Sequence, residues 1–319
     1  MRRAFSVLIK LTISGLLLYL ALNWVNIGTV ASRLSQIDPR WIAFGLLLPL
    51  TQTFLLTMRW QMIISQCGAD MPLGQLFRFC MAALFFNQTL PSSVGGDAMR
   101  IWLAGKQTNW RIATYSVLID RVVGVVSLAI VVTACLPWTL NLVRNPIGRS
   151  ALLLIGLGCL AAGIFFVSLA WQRLRILQRW APTRHLAATA TVAFGILRSP
   201  RALARIFCLS FVIHLLTVLL AWCAARSVGA DLSLAYSLFL VLPVILIAIV
   251  PISVAGWGVR EGAMVAAFGY AGLPPSDGLI VSLLFGASFL AVGGIGGLVW
   301  TLTTPRAERE IAPSILPHE

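Results

Sequence analysis

Charged residues are scarce in this sequence. Only 11% of its 319 residues are Asp, Glu, Lys or Arg, whereas 59% are hydrophobic. Long uncharged stretches recur along the chain, and a helix of about 20 apolar residues crosses the roughly 30 Å hydrocarbon core of a bilayer. This composition excludes an ordinary soluble protein, and the sequence predicts an all-α polytopic membrane protein.

The sequence also lacks the motifs of the common catalytic and metal sites. It has no P-loop, no His-Glu-x-x-His and no Asp-x-Asp pair, and it contains only three His. Its six Cys are single and fall mostly in apolar runs, which is typical of small apolar fillers and not of metal ligands or a redox pair. These absences argue against an enzyme, and no cofactor and no metal are predicted.

Six apolar stretches are long enough to be full membrane spans. The first is similar to a secretory signal peptide, but Lys10 interrupts its apolar part and no small-x-small cleavage site follows. We therefore interpret it as a retained first helix. The predicted spans are residues 5–23, 41–64, 112–137, 150–171, 206–227 and 278–302.

Two further apolar stretches, 75–104 and 233–270, are interrupted by similar motifs that contain Gly and Pro. The first motif reads LPSSVGGDAMR from residue 90, and the second reads VPISVAGWGVR from residue 250. A shift of 160 positions aligns Pro91 with Pro251, Ser93 with Ser253, Val94 with Val254, Gly96 with Gly256 and Arg100 with Arg260. Because the shift is half the chain, the sequence predicts an internal repeat. The alternative is two ordinary loops that match by chance.

The distribution of basic residues predicts the topology, because cytoplasmic loops carry the excess of Lys and Arg. Arg2, Arg3 and Lys10 place the N-terminus in the cytoplasm. If each broken stretch is a hairpin that returns to the side it entered from, the loop 172–205, with seven Arg and no acid, is cytoplasmic, and so is the C-terminus. If each is a single span, that loop falls outside, so the hairpin arrangement is favoured.

The favoured arrangement has about six full spans plus two broken re-entrant hairpins in two inverted repeats. A single transmembrane domain covers residues 1–304, with repeat one at about 1–140 and repeat two at about 150–304, and residues 305–319 form a short polar cytoplasmic tail. Inverted repeats whose matching segments are both interrupted predict a transport site near the bilayer midplane.

The formal net charge of +14 does not predict nucleic-acid binding. The basic residues cluster at the ends of apolar helices, where anionic lipid headgroups are the expected partners.

Charged residues within the apolar stretches are the candidate binding residues. Asp97 and Arg100 share a helix face if the segment after Gly96 is helical, and Arg100 with the free helix amides can then bind a phosphate or carboxylate. The alternative is a simple ion pair at the membrane surface. Asp120 and Arg121 lie eight to nine residues into a span, where charges are rare, and both a functional and a purely structural role are open.

Arg260 and Glu261 are adjacent in the sequence, so they point about 100° apart on a helix and are expected to face different partners. A pair between Glu261 and Arg100 across the repeats is one arrangement that satisfies both charges. Arg59, which precedes Trp60, is interpreted as a snorkelling anchor at the membrane interface.

Two further features predict packing and not ligand binding. His214 stands alone in an apolar helix and is interpreted as a hydrogen-bonded core residue. The stretch GGIGG at 293–297 predicts close contact with another helix.

These motifs together resemble the lysylphosphatidylglycerol synthase transmembrane family, also called the flippase-like family. The resemblance rests on NQTLPSSVGGDAMR, the Asp-Arg pair at 120–121 and PISVAGWGVREGA, and it covers nearly the whole chain. Asp97 stands where Glu is common in the family, and Ala255 stands where Gly is common. The residues on the family's signature positions are Asn87, Pro91, Gly95, Gly96, Asp97, Arg100, Asp120, Arg121, Pro251, Gly256, Gly258, Arg260 and Glu261.

The resemblance implies movement of a lipid or a lipid-linked intermediate across the membrane. The Pro and Gly of the signature set are expected to shape the backbone, and its Asn87 and charged residues to bind an anionic or lipid-phosphate substrate. The soluble aminoacyl-transferring domain of the full synthases is absent from the sequence, so lipid aminoacylation is not expected. The alternatives are a membrane enzyme or an accessory factor in lipid-linked glycan or envelope-lipid assembly. The expected location is the bacterial cytoplasmic (inner) membrane, and homo-oligomerisation is left open.

Overall fold

The structure, a computed structural model, describes residues 2–23, 25, 27–89, 95–143, 145–170, 199–250, 253 and 255–303. Within these ranges all regular structure is α-helical, as the sequence predicts. The helices are α1 (Arg2–Asn23), α2 (Ile27–Leu34), α3 (Pro39–Gln66), α4 (Leu73–Thr89), α5 (Gly95–Gly105), α6 (Trp110–Leu142), α7 (Pro146–Ala170), α8 (Pro200–Ser227), α9 (Leu234–Ala248), α10 (Val259–Tyr270) and α11 (Pro275–Thr303). Pro91, Pro251, most of the basic loop 172–205 and the polar tail lie outside the described residues.

Four helices, α3, α6, α8 and α11, are long and apolar enough to cross a membrane. They contain the predicted spans 41–64, 112–137, 206–227 and 278–302. Side chains cap the first two of these helices. The Asp38 carboxylate accepts a hydrogen bond from the Arg40 N–H, and the Asn109 side chain accepts one from the Arg111 N–H, each at 2.9 Å.

The other two predicted spans, 5–23 and 150–171, coincide with α1 and α7. Both are helical along nearly their whole predicted length. They contain the apolar helical segments Ser14–Asn23 and Pro146–Cys159. The count of six full crossings therefore stays a prediction. Four of the six have helices of the required length and composition.

Both broken stretches form two short helices, as the motifs predict. The first stretch folds into α4 and α5, with the interruption between Thr89 and Gly95, and the second folds into α9 and α10, with the interruption between Ala248 and Val259. Whether each pair is a re-entrant hairpin stays a prediction.

The order of helices recurs in the two halves of the chain. Each half has a long helix, a broken pair and a second long helix: α3 to α6 in the first half and α8 to α11 in the second. Helix α3 packs against α8, α4 against α11, and α9 against α6. The broken pair of each half therefore packs on the last helix of the other half, which is a reciprocal arrangement. How the halves are oriented across the membrane stays a prediction.

The contact between α4 and α11 is close because glycines line α11. A Cβ atom at Gly297 would lie 2.7 Å from Cδ2 of Phe85, and one at Gly296 would collide with the Met81 carbonyl oxygen. Only glycine lets the two backbones approach this far. The close packing predicted from GGIGG is confirmed.

Two large apolar cores surround the short helices, one built by the first half and one that combines the second half with residues such as Leu48 of α3. The first core includes Trp60 of α3 and Met99 of α5, and the second includes Val241 of α9 and Met264 of α10; all four side chains are fully buried. Because the short helix after each break contributes a core residue, core packing fixes the position of that helix and of the arginine it carries.

Candidate functional site

A single carboxylate joins two arginines inside the first half of the bundle. Asp120 of α6 accepts a hydrogen bond on Oδ1 from Arg59 Nε of α3 at 2.8 Å, and one on Oδ2 from Arg100 Nη2 of α5 at 2.9 Å. The three residues are 1%, 4% and 5% exposed, respectively. Charges this deeply buried are tolerated only when they are paired, so Asp120 holds three helices together. Asp120 therefore faces the interior of the bundle.

Arg59 is not the interface anchor that the sequence predicted, because both Arg59 and Trp60 are buried. Arg59 Nη1 donates to Ser210 Oγ at 2.9 Å, and Gly124 packs beside the guanidinium, where a Cβ would lie 3.4 Å from Nη2. Helix α3 continues for about two more turns after Arg59. That continuation was the available signal that Arg59 lies inside the helix and must find an acid.

Arg100 lies between an acid and an aromatic ring. Its Cζ is 4.1 Å from the centre of a Trp60 ring, and Trp60 Nε1 donates to Ser116 Oγ at 3.1 Å, which fixes the orientation of the indole. Among the described residues, Arg100 Nε has no hydrogen-bond partner. Arg100 is thus held firmly while one of its N–H groups stays unused.

A more accessible ion pair lies beside the buried one. Arg121 Nη1 donates to Asp97 Oδ2, and Asp97 Oδ1 lies 3.5 Å from Arg100 Nη1. The Asp97 and Arg121 side chains are 16% and 35% exposed. The predicted shared face of Asp97 and Arg100 is confirmed, and the acid that pairs with Arg121 is Asp97 and not the adjacent Asp120.

We call these five residues the first-half cluster: Arg59, Asp97, Arg100, Asp120 and Arg121. It contains three guanidinium groups and two carboxylates linked by ion pairs. Among the described residues the cluster therefore carries an excess of one positive charge inside an apolar bundle.

Asn87 fixes the start of α5 after the break. Its side-chain oxygen accepts a hydrogen bond from the Gly96 N–H at 2.8 Å. A Cβ at Gly96 would lie 2.5 Å from the Ala83 carbonyl oxygen, so any other residue there would push α5 away from α4. Asn87 and Gly96 thus position the helix that carries Asp97 and Arg100.

The second half contains a smaller group, Arg260, Glu261 and Ser282, which we call the second-half cluster. Arg260 Nη2 donates to Glu261 Oε1 at 2.7 Å, Arg260 Nε donates to Ser282 Oγ at 3.0 Å, and Ser282 Oγ donates to Glu261 Oε1 at 2.9 Å. Arg260 and Glu261 are 7% and 0% exposed. This cluster is electrically neutral, and its three side chains are hydrogen-bonded to one another.

The prediction that Arg260 and Glu261 face different partners is wrong. Their Cα–Cβ bonds diverge on α10, but both side chains are long enough to meet at Ser282 of α11. The Gly258 N–H also donates to Glu261 Oε2 at 2.5 Å, which draws the carboxylate back toward the helix start. The pair of Glu261 with Arg100 does not form, because each has its own partner in its own half.

Aromatic rings and a glycine complete the second-half cluster. Arg260 Cζ lies 4.9 Å from the centre of a Trp257 ring and 5.5 Å from that of Phe285. A side chain at Gly286 would collide with Arg260 Nη2. Nothing in the sequence points to Ser282 or Gly286 as partners, since both are small residues in an apolar helix.

The backbone between α9 and α10 requires glycine. Gly256 and Gly258 have φ of +78° and +84°, and a Cβ at Gly258 would lie 2.6 Å from the Ser14 carbonyl oxygen of α1. Ala255 also has a positive φ, of +49°, which explains why a Gly suits this position. The backbone-shaping roles predicted for Gly256 and Gly258 are consistent with this geometry.

One other prediction concerns a residue outside the clusters. His214 is buried, and its Nε2 lies 2.9 Å from Ser127 Oγ, so its interpretation as a hydrogen-bonded core residue is confirmed. In the described ranges no group of three or more His, Cys, Asp or Glu residues is placed to hold a metal ion.

The long apolar helices and the buried ion pairs between them define a multi-pass α-helical membrane protein. The chain matches the family described as lysylphosphatidylglycerol synthase TM region over residues 7–297, and it belongs to that family. It is also similar to a UPF0104 membrane protein of Methanothermobacter thermautotrophicus, with 22% identity over 275 residues, covering 78% of this chain and 81% of that protein. The resemblance inferred from the motifs is confirmed.

Proposed function

We propose that this protein is a lipid transporter that moves an anionic phospholipid or a lipid-phosphate-linked intermediate between membrane leaflets, without catalysing a reaction. The observation that carries the proposal is the excess positive charge of the first-half cluster. Three guanidinium groups face two carboxylates there, in a bundle whose surroundings are apolar. An uncompensated charge in such a place is costly, and an anionic headgroup would compensate it.

The type of charged group supports the same substrate class. Arginine presents a planar fork of N–H donors that matches the oxygens of a phosphate, and Arg100 and Arg121 approach the same carboxylate from two helices. The partial exposure of Asp97 and Arg121 gives a headgroup a route to this position. The acyl chains of the lipid would stay in the bilayer.

The repeated architecture supports a transport cycle. Both broken helix pairs carry an arginine just after the break, and each pair packs on the last helix of the other half. In the proposed cycle the halves expose a midplane cavity to alternate leaflets, with Arg100 and Arg260 each reached from a different side. Glu261 balances Arg260 when no headgroup is bound. In this proposal both termini lie in the cytoplasm of a bacterial cell.

The test is lipid movement in reconstituted vesicles. Fluorescent phosphatidylglycerol in the outer leaflet is quenched chemically, and the protected fraction is followed over time. Arg100→Gln and Arg260→Gln should each slow the movement, because losing a charge-assisted hydrogen bond of about 1.5–3 kcal/mol weakens headgroup affinity roughly ten- to more than a hundredfold. Lys at either position should restore it in part, because Lys keeps the charge and loses the fork.

Arg111→Gln is the matched control, because Arg111 is an exposed arginine on α6. It should move lipid at the parent rate. If folded Arg100→Gln and Arg260→Gln proteins also move lipid at the parent rate, the two arginines are structural and the site is elsewhere. If the parent moves no lipid but forms a new lipid product, the enzyme alternative replaces the transporter.

A further inference from the structure

The two carboxylates of the first-half cluster are held very differently. Both oxygens of Asp120 accept hydrogen bonds from buried arginines, and the residue is 1% exposed. Asp97 accepts its hydrogen bond from Arg121, whose side chain is 35% exposed, and its other oxygen is 3.5 Å from Arg100, beyond a good hydrogen bond. Since water competes for a partly exposed pair, Asp97 is the carboxylate that a ligand can displace from its arginines.

The hydrogen-bonding groups of Arg100 are only partly satisfied in this arrangement. Its Nη2 is committed to Asp120, but Nε has no partner among the described residues, and Nη1 faces the distant Asp97 oxygen. Arg100 is 5% exposed, so water satisfies these N–H groups poorly. A phosphate group offers more acceptor oxygens than a carboxylate, at the same charge or a higher one.

We propose that Asp97 is a resident counter-ion, which occupies the phosphate position of the first-half cluster while that position is empty and is displaced when a phosphate group binds to Arg100 and Arg121. Once Asp97 has left, Asp120 alone faces three guanidinium groups. The two remaining positive charges match a phosphate monoester, which carries up to two negative charges, better than a phosphodiester, which carries one. This inference rests on the proposed function only in placing the ligand at this cluster.

The experiment removes the competing charge at nearly constant size. Asp97→Asn and the parent are purified into phosphatidylcholine nanodiscs and titrated with phosphatidic acid, a lipid phosphomonoester. Tryptophan fluorescence reports binding, because Trp60 stacks on Arg100. Asp97→Asn should bind phosphatidic acid about tenfold or more tightly than the parent, since one charge of competition is gone. Phosphatidylglycerol, a phosphodiester, should gain less.

Matched variants separate displacement from a general effect of charge. Asp97→Glu keeps the competing charge and should gain less affinity than either neutral variant, and Asp97→Ser is a second neutral variant that should bind like Asp97→Asn. Asp231→Asn removes an exposed acid and should change nothing. Inorganic phosphate is titrated in parallel, and a gain that equals the lipid's would assign the site to a soluble phosphate.

Parent-like or weaker phosphatidic acid binding by the folded neutral variants overturns the proposal, because Asp97 would then be structural. The binding measurement is independent of transport. Tighter binding by Asp97→Asn in a protein that moves no lipid in vesicles would support the counter-ion role and overturn the proposed function.

Discussion

The two halves of the molecule place an arginine at the same point after a helix break and neutralise it in different ways. Arg100 receives its main carboxylate from Asp120 on the following long helix, whereas Arg260 receives its carboxylate from the adjacent Glu261. The first-half cluster consequently spans three helices, is partly exposed at one edge and has an excess positive charge. The second-half cluster is neutral and buried. The two clusters thus share the position of an arginine but differ in net charge.

The long helix after each break nevertheless contributes in the same way. In α6 a polar residue, Asp120, is followed four residues later by Gly124, and in α11 Ser282 is followed four residues later by Gly286. Residues at this spacing lie one turn apart on the same helix face. In each case the polar side chain bonds an arginine and the glycine lies beside a guanidinium, although only at Gly286 would a Cβ collide with it.

This difference gives the two clusters different tasks in the proposed transport cycle. The first-half cluster has the charge and the access to receive an anion directly. The second-half cluster must first separate Arg260 from Glu261, and α1 lies against the same break at Gly258. We therefore expect headgroup entry to occur at the first half and the larger rearrangement at the second.

The largest expected effect comes from neutralising each carboxylate. Asp120→Asn leaves two buried arginines without their shared acid and should lower the free energy of unfolding by about 3–5 kcal/mol. Glu261→Gln leaves one buried arginine without its acid instead of two, so it should cost less, about 3 kcal/mol. Denaturant unfolding in detergent micelles measures both.

Asp231→Asn, an exposed acid, is the control for both variants and should unfold like the parent. Equal losses for Asp120→Asn and Glu261→Gln would contradict the view that one cluster depends on a shared carboxylate and the other on a local pair.

The sequence was sufficient to predict the helices, their interruptions and the deep charge at Asp120, because these follow from apolar runs, from Gly and Pro, and from the cost of a charge in lipid. It was insufficient to predict which of the charged residues pair with each other. Arg59 meets Asp120 because α3 packs beside α6, and Arg260 meets Glu261 because the two long side chains bend toward each other beside Ser282. Such contacts depend on helix packing and rotamers, which a single sequence does not contain.

A smaller effect should distinguish the two glycines. A Cβ at Gly286 would collide with Arg260 Nη2, whereas one at Gly124 would lie 3.4 Å from Arg59 Nη2. Gly286→Ala should therefore cost about 1–3 kcal/mol through overpacking of the second-half cluster. Gly124→Ala should be close to neutral, because a shift of a few tenths of an ångström accommodates it. Unfolding in micelles measures the difference. If Gly124→Ala lowers the free energy of unfolding more than Gly286→Ala does, the first-half cluster is the more tightly packed of the two.

The smallest difference between the halves is expected for the two serines, and here the first half should be the more sensitive. Ser210 accepts the hydrogen bond from Arg59 Nη1, so Ser210→Ala leaves that buried N–H without an acceptor and should cost about 1–3 kcal/mol. Ser282→Ala leaves Arg260 with both of its hydrogen bonds to Glu261 and should cost only about 0.5–1.5 kcal/mol. Unfolding of the two variants under one set of conditions tests the order. If Ser282→Ala is the more destabilising, Ser282 and not the direct contact aligns Arg260 with Glu261, and the second-half cluster is a three-membered network instead of a self-sufficient pair.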